Sequence, residues 1–166
     1  MFHERLRQEL GRVDRYHESL SLHVLDLDSL KRINDHYGHQ AGDAALRSVA
    51  DAIRNGLREI DLGARLGGDE FAVLAPRTTA ESALVLGERL RALVRTPGGA
   101  ASGLGATVSI GIASLAPSGG ERPTPGALMA AADKALYRAK RAGGDRVAVR
   151  QDGGFESSSA WARRYS

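Results

Sequence analysis

Residues 64–74 read ARLGGDEFAVL, and this stretch decides how the middle of the chain folds. Two glycines, Gly67 and Gly68, separate two apolar runs. This pattern is typical of a β-hairpin, because glycine accepts a positive φ at little steric cost. The next two residues, Asp69 and Glu70, are poor strand formers, and adjacent carboxylates repel each other. Strand propensity therefore does not explain why two acidic residues stand where the second strand should begin.

The bulk composition is that of an ordinary globular protein with one domain. The chain has 166 residues, of which 42% are hydrophobic and 26% charged. It contains no cysteine, so a disulfide framework and a thiolate metal site are both excluded. The N-terminus is charged and lacks a signal-peptide core, and no apolar run is long enough to span a bilayer. We therefore expect a cytoplasmic protein with no membrane segment.

The charge distribution argues against nucleic-acid binding. The formal net charge is +3, but the basic residues are scattered and aromatic residues make up only 5% of the chain. A nucleic-acid surface would cluster the basic residues. A small phosphorylated ligand also needs positive charge and stays compatible with this composition.

Helical and strand-like segments alternate along the chain, with one hairpin embedded among them. We predict helices over residues 2–19, from Asp43 through Leu57, around 86–94 and over 125–142, and strands over 21–27, 62–66, 70–76, 106–116 and 146–150, with a loop at 96–105. The embedded hairpin predicts a mixed sheet within an α/β arrangement. Residues 1–150 are expected to form the domain, and the Ser-rich residues 151–166 a disordered tail.

A second acidic cluster lies in the stretch DLDSLKRINDHYGHQAGD, residues 26–43. Asp26 closes an apolar strand, so it should lie at the carboxyl end of that strand, where open α/β sheets usually bind ligands. A calcium loop is excluded because Leu30 and Lys31 occupy the fifth and sixth positions. Asp28 is also a candidate N-cap of the following helix, and Asp26 alone could equally be a surface or capping residue.

The two acidic clusters together indicate a metal site more strongly than either cluster does alone. If the end of the first strand meets the hairpin, their carboxylates form a site of hard oxygen ligands. Such a site suits Mg²⁺ that carries phosphates and keeps several waters.

Four segments now make a family recognisable: residues 26–43, RLGGDEF at 65–71, TVSIGIA at 107–113 and ADKALYRAKRAG at 132–143. In this order and spacing, over residues 2–149, the chain resembles the GGDEF domain of diguanylate cyclases. The resemblance implies an α/β (α+β) fold like that of adenylyl cyclases and polymerase palms: a mixed, mainly antiparallel sheet wrapped by helices. It also implies the condensation of two GTP molecules into cyclic di-GMP and two pyrophosphates by a homodimer, with Mg²⁺ or Mn²⁺.

The resemblance assigns the acidic residues to metal binding and catalysis. Asp26 would bind Mg²⁺ through its carboxylate, Leu27 through its backbone carbonyl, and Asp69 as the other principal ligand. Asp69 would also help to deprotonate the attacking 3′-hydroxyl, although a metal-bound water could do this instead, and Glu70 would assist at that hydroxyl or at the second metal.

Further residues match positions that hold the nucleotide. Lys31 and Lys140 would contact the β- and γ-phosphates, and Gly67 and Gly68 would let the backbone approach the nucleotide. Either lysine taken alone would more often be a solvated surface residue.

Asn34 and Asp43 match the pair that reads guanine. A carboxylate can accept from N1–H and N2–H of guanine together, whereas adenine lacks that pair of donors. The structural alternatives are a helix C-cap for Asn34 and a helix N-cap for Asp43, and capping does not exclude binding.

The sequence REID, residues 58–61, matches an R-x-x-D site at which family members bind their own product. Arg58 and Asp61 would hold cyclic di-GMP, with Arg89 completing the site, and binding would inhibit synthesis. A surface ion pair is the alternative.

Three departures from the family pattern stand out. Gly144 occupies a position that is usually basic, with Arg146 as the nearby alternative, and Leu30 stands where phenylalanine is common. The 166 residues include neither the usual upstream segment nor a sensor domain. We expect either a trimmed piece or a minimal protein controlled by a separate partner.

Two other functions stay open. The chain could be a weak or inactive module that senses GTP or cyclic di-GMP, or a related cyclase that acts on another purine nucleotide.

Overall fold

The computed structural model describes residues 1–95, 104–117 and 123–150. Its elements follow in the order α1 (Phe2–Tyr16), β1 (Leu20–Leu27), α2 (Leu30–Tyr37), α3 (His39–Gly56), β2 (Leu62–Gly67), β3 (Glu70–Pro76), α4 (Ala80–Arg95), β4 (Val108–Leu115), α5 (Pro125–Arg141) and β5 (Val147–Val149).

The described strands form one mixed, mainly antiparallel sheet in the order β2-β3-β1-β4-β5. The central strand β1 is antiparallel to both β3 and β4, and β2 and β3 form the hairpin. Only β4 and β5 run parallel. The predicted fold class is confirmed.

Helices cover both faces of the sheet, and the residues of β1 alternate between them. Leu25 and Leu27 are buried on the face packed by α3 and α4. Leu22 and Val24 are buried on the other face, beneath α1 and α5. Asp26 shares the parity of Leu22 and Val24, so its side chain lies on the α5 face.

Helix α5 lies unusually close to the sheet at Gly111 in β4. A Cβ on Gly111 would stand 2.1 Å from the carbonyl oxygen of Ala132 and 2.2 Å from the amide nitrogen of Leu136. Because real Cβ atoms never approach backbone that closely, glycine is required here. This contact brings the last turn of α5 towards the carboxyl end of β1.

The structure corrects several predicted boundaries. Helix α3 begins at His39, four residues before Asp43, because the chain turns at Gly38 with φ of 83°. Helix α1 ends at Tyr16 rather than near Ser19, since His17 takes up a left-handed conformation. The strand β5 has only three residues. Most of the predicted loop at 96–105, and the predicted tail at 151–166, lie outside the described residues.

Across the described ranges, none of the helices combines the length and the apolar character that crossing a membrane requires.

Candidate active site

The end of β1 and the tip of the β2–β3 hairpin meet at one corner of the sheet. The backbone N–H of Leu27 donates to the carbonyl oxygen of Asp69 at 3.2 Å. Asp26 lies directly opposite Glu70 in the antiparallel register. The two acidic clusters that are 43 residues apart in the sequence (Asp26 and Asp69) are therefore neighbours in the fold.

The carboxylate of Asp26 is buried and paired with a lysine from α5. The ammonium nitrogen of Lys140 lies 2.6 Å from Oδ1 of Asp26. Burial raises the pKa of Asp26 to about 6, the lysine opposes this rise, and the nearby negative charges of Asp69 and Glu70 add to it. A further positive charge at this corner would therefore stabilise the ionised form of Asp26.

These residues fit a hard divalent cation. Within the described ranges, no three acidic or histidine side chains stand together closely enough to hold a metal unaided. The expected ligand set, however, is two carboxylates and a backbone carbonyl, and its donors are all hard oxygens. The carboxylates of Asp26, Asp69 and Glu70 repel one another where burial weakens solvation, and a divalent cation would relieve that repulsion.

The conformation of the hairpin tip is held by an arginine. Arg65 donates from Nε and from Nη2 to the carbonyl oxygen of Gly68, at 3.0 and 2.6 Å. Its guanidinium also lies over the ring of Phe71, 5.9 Å from the centroid. Gly68 has φ of 52°, which favours glycine. Sequence reasoning missed Arg65, and its only signal was its place two residues before the glycine pair.

Asn34 and Asp43 are brought together by Gly42. A Cβ on Gly42 would stand 1.9 Å from Oδ1 of Asn34, so the asparagine side chain lies directly against the backbone beside Asp43. Oδ1 of Asn34 is buried and accepts no hydrogen bond from any described residue. Asp43 is exposed on the following helix. The carboxylate of Asp43 is therefore open to a ligand, and the side chain of Asn34 is packed beside it.

Both capping alternatives for this pair are wrong. Asn34 lies within α2, whose C-cap is Gly38. Asp43 is the fifth residue of α3, whose N-cap is also Gly38, and no side chain caps that helix.

The predicted N-cap role of Asp28 is also wrong. The N-cap of α2 is Ser29, which makes no side-chain capping bond. The carboxylate of Asp28 instead accepts from the hydroxyls of Thr107 and Ser109 at 2.8 and 2.7 Å, and from the backbone N–H of Asp145 at 2.9 Å.

Gly144, which departs from the family pattern, lies against the same carboxylate. That glycine has φ of 73°, and a Cβ on it would lie 3.2 Å from the carboxyl carbon of Asp28. A basic side chain at this position would have to adopt a strained backbone conformation against Asp28.

The remaining predicted phosphate ligand, Lys31, lies on the exposed side of α2. It lines a shallow depression of about 440 Å³ together with Ser29, Arg32, Asp35 and His36. This depression is separate from the contact between Lys140 and Asp26. Neither Gly67 nor Gly68 would bring a Cβ within 4 Å of another atom, so the space beside the hairpin tip is open.

The three predicted product-binding residues line one small cavity. Arg58, Asp61 and Arg89 surround a space of about 230 Å³ between the start of β2 and α4. The N–H of Arg58 donates to Oδ2 of Asp61 at 2.9 Å, and Nη2 of Arg89 donates to the carbonyl of Gly56. Oδ1 of Asp61 is buried and accepts no hydrogen bond within the described part of the chain. The structure thus brings this set together.

A larger groove of about 690 Å³ runs along α3 from Asp43 to Arg58. Its lining is mixed and includes apolar Ile53 and Phe71 as well as the charged side chain of Arg65. The groove therefore connects the neighbourhood of the Asn34–Asp43 pair with that of the Arg58–Asp61 turn.

Comparison with known proteins places the chain in a family. The family described as "Diguanylate cyclase, GGDEF domain" matches residues 1–146. The diguanylate cyclase DgcP of Pseudomonas aeruginosa is 47% identical over 148 residues, which cover 88% of this chain and 22% of DgcP. The chain spans about a fifth to a third of the length of the first curated relatives that it matches.

Solved structures agree with this assignment. The GGDEF domain of DgcB from Caulobacter crescentus, in complex with c-di-GMP, has a TM-score of 0.79 and 31% identity, with coverage of 91% of this chain and 89% of that one. The diguanylate cyclase SiaD of Pseudomonas aeruginosa, in complex with its activator SiaC, also has a TM-score of 0.79, with 39% identity and coverage of 90% and 56%. The chain belongs to the GGDEF diguanylate cyclase family.

Proposed function

We propose that this chain is a diguanylate cyclase domain, which condenses two molecules of GTP into cyclic di-GMP and two pyrophosphates. The observation that carries the proposal is the corner where buried Asp26, paired with Lys140 at 2.6 Å, meets Asp69 and Glu70 of the hairpin. In a member of this family, such a corner is suited to a triphosphate and its metal.

The chain supplies the ligands and charges for phosphoryl transfer. Asp26, the carbonyl of Leu27 and Asp69 would hold Mg²⁺ or Mn²⁺, with Glu70 beside the reacting 3′-hydroxyl. A bound divalent ion would neutralise triphosphate charge and lower the cost of forming the attacking alkoxide. Lys140 has three N–H donors, so its ammonium can keep its contact with Asp26 and still donate to a phosphate oxygen. Lys31 would reach the triphosphate from the outer side of α2.

Selection of guanine would rest on the Asn34–Asp43 pair beside Gly42. The exposed carboxylate oxygens of Asp43 can accept from N–H groups of guanine, and the amide of Asn34 is packed beside them. With ATP these acceptors would lack matching donors, and a site built around such bonds can reject the wrong ligand by about 10⁴-fold.

Catalysis would need two copies of the chain. Each copy has one such corner, and a product with two-fold symmetry is matched by two corners that face each other across a two-fold axis. We therefore expect the rate per subunit to rise with protein concentration until the dimer is saturated.

Regulation would act through the product and through a partner. Arg58, Asp61 and Arg89 would bind cyclic di-GMP in their common cavity and inhibit synthesis. A separate sensor domain or protein would set how the two copies meet. The complex of SiaD with SiaC is a precedent within the family for an activator on a separate chain.

The test is a turnover assay with GTP and Mg²⁺, in which products are separated by chromatography and followed over a range of protein concentrations. We expect cyclic di-GMP and pyrophosphate from the wild-type chain, little product from ATP, and none from Asp69→Ala. A specific activity that stays constant from dilute to concentrated protein would contradict the dimer.

Gly144 favours one other function, a module that binds GTP or cyclic di-GMP without turnover, because a basic contact to the triphosphate is absent there. The same assay decides, since nucleotide binding with no product at any protein concentration would support the binding module.

A further inference from the structure

The carboxylate of Asp28 joins three segments that surround the proposed metal corner. Oδ1 accepts from the hydroxyl of Ser109, and Oδ2 accepts from the hydroxyl of Thr107 and from the backbone N–H of Asp145. The backbone N–H of Asp28 also donates to the carbonyl of Thr107 at 2.8 Å. One side chain thus connects the end of β1, the start of β4 and the turn after α5.

Two backbone hydrogen bonds fix the turn after α5 to the last turn of that helix. The N–H of Gly143 donates to the carbonyl of Lys140, and the N–H of Gly144 donates to the carbonyl of Ala139, both at 3.1 Å. The bond from Asp145 to Asp28 therefore links the last turn of α5 to the residue that follows Leu27. Lys140 and Asp26 lie at the two ends of this short connection.

A second set of bonds holds the turn from the other side. The carboxylate of Asp145 pairs with Arg91 and with Arg95 of α4, each at 2.9 Å. These two arginines neutralise the carboxylate of Asp145, whose backbone N–H is bonded to Asp28. Gly144 and Asp145 both have positive φ, at 73° and 46°, so this turn depends on its hydrogen bonds to keep its shape.

Asp28 itself is poorly placed to be a metal ligand. Its two oxygens already accept three hydrogen bonds, which occupy most of the roughly four lone-pair positions of a carboxylate. Its hydrogen bonds instead hold the three neighbouring segments in place.

We propose that Asp28 is a positioning residue, whose hydrogen bonds fix the ligands at the end of β1 relative to Lys140. The inference rests on the proposed function only in taking that corner as the metal site. Some residues do not bind the metal but orient its ligands through hydrogen bonds. Removing such a residue commonly lowers metal affinity about 10- to 100-fold.

Two substitutions separate positioning from direct ligation. Asp28→Asn removes the charge but can keep all three bonds, because its oxygen can accept from Thr107 and Asp145 while its amide donates to the hydroxyl of Ser109. Asp28→Ala removes all three side-chain bonds and leaves only the backbone bond to Thr107. The paired change Thr107→Val with Ser109→Ala removes two of the donors and leaves Asp28 in place, in case Asp28→Ala does not fold.

The measurement is Mn²⁺ binding to the full chain, followed by electron paramagnetic resonance in the presence of the non-reactive analogue α,β-methylene GTP. We expect Asp28→Ala and the double variant to bind Mn²⁺ about tenfold or more weakly than wild type. Asp28→Asn should stay within about threefold, since it retains the hydrogen bonds.

A matched control tests whether general destabilisation of the fold explains the weaker Mn²⁺ binding. Ser21 lies at the far end of β1 and is fully buried, with its hydroxyl bonded to the carbonyl of Thr78 and to Ser114. Ser21→Ala should lower the melting temperature without changing Mn²⁺ affinity.

Several results would overturn the inference. These are an equal loss of affinity in Asp28→Asn and Asp28→Ala, unchanged affinity in Asp28→Ala, equally weakened binding in Ser21→Ala, or no Mn²⁺ binding by the wild-type chain. If the wild type binds Mn²⁺ but makes no cyclic di-GMP, the proposed function fails, and the variants still decide the role of Asp28.

Discussion

The ammonium of Lys140 lies 2.6 Å from Oδ1 of Asp26, so the last turn of α5 and the end of β1 are joined by an ion pair. The two partners differ in exposure: the side chain of Asp26 is 8% exposed and that of Lys140 is 41% exposed. The lysine therefore touches a buried carboxylate with one side and solvent with the other. A ligand in that solvent, such as a triphosphate, can reach the same ammonium.

Replacing this lysine should weaken both nucleotide binding and turnover. Lys140→Met keeps the aliphatic stem and removes the charge, so a charge-assisted bond to a phosphate oxygen is lost. Such bonds contribute about 1.5–3 kcal/mol, which corresponds to a loss of GTP affinity of about 10- to 100-fold. Isothermal titration with α,β-methylene GTP and the cyclase assay measure the two effects.

Lys134→Met is the matched control, since Lys134 is an exposed lysine six residues earlier on the same helix. It should leave both quantities unchanged. Equal GTP affinity and equal turnover in the two variants would contradict the assignment of Lys140 to the nucleotide site.

Gly42 should control how well the chain distinguishes guanine from adenine. In Gly42→Ala the new methyl group would stand 1.9 Å from Oδ1 of Asn34, so the asparagine side chain has to rotate away. We expect an increase of about tenfold or more in the KM for GTP, because a mispositioned contact commonly costs this much. The preference for GTP over ATP should fall as well.

The control for this variant is Gly11→Ala in α1, where no atom lies within 4 Å of the added Cβ. This control should leave KM unchanged. A Gly42→Ala protein with wild-type selectivity would show that Asn34 does not read the base.

Arg58 should be needed for product inhibition and dispensable for synthesis. It is exposed and lines the cavity with Asp61 and Arg89, away from the corner that contains Asp26. In Arg58→Ala we expect the initial rate at low product to stay near wild type. The cyclic di-GMP concentration for half inhibition should rise about tenfold or more, since one charged contact is lost.

An arginine on α1 supplies the comparison. Arg7 pairs with Glu4 on the exposed side of that helix. Cyclic di-GMP should inhibit Arg7→Ala as strongly as wild type. If it also inhibits Arg58→Ala as strongly as wild type, the proposed regulatory site is contradicted.

The sequence predicted those parts of the molecule that depend on local pattern. The glycine pair predicted the hairpin, and the acidic residue that closes an apolar run predicted Asp26 at the end of β1. The hydrogen bonds of Asp28 could not be predicted from local pattern, because its three partners lie 79, 81 and 117 residues further along the chain. The pairing of Asp26 with Lys140 likewise depends on the close approach of α5 to β4.

The start of α3 was predicted wrongly for a related reason. Capping rules look for a polar side chain at the N-cap, and they favoured Asp43. The helix instead begins after Gly38, without any side-chain cap, and its first turn packs against α2, where Gly42 meets Asn34 and Leu30.

Gly111 should be the glycine whose replacement most damages the fold among those described. An added methyl group would meet backbone atoms of Ala132 and Leu136 at 2.1 and 2.2 Å, and neither can move without shifting α5. Overpacking a rigid site costs about 1–3 kcal/mol and sometimes more, and we expect the upper end or beyond for Gly111→Ala.

Urea unfolding measures this cost. Gly11→Ala serves as the control, because alanine replaces glycine within a helix in open space and should stabilise the protein by about 0.5–1 kcal/mol. A Gly111→Ala protein as stable as wild type would mean that α5 does not pack as described.

His23 should make the stability of the fold depend on pH below neutrality. It is fully buried in β1, with Nε2 at 2.9 Å from the carbonyl oxygen of Ala83. Burial lowers its pKa below the usual 6.5, although hydrogen bonds to backbone and the charge of Asp61 oppose this shift. Below pH 6.5 the unfolded chain therefore binds a proton at this histidine that the folded chain does not, and the free energy of unfolding falls as the pH falls.

The size of this effect can be isolated with His23→Gln, whose amide can still donate to the carbonyl of Ala83. Each pH unit between the two pKa values changes the free energy of unfolding by at most about 1.4 kcal/mol. Between pH 7 and pH 5 we expect wild type to lose about 1–2 kcal/mol more than His23→Gln. Urea unfolding at the two pH values measures this difference. All other titratable groups are common to both proteins, so equal losses would mean that His23 is protonated as readily in the folded chain as in the unfolded one.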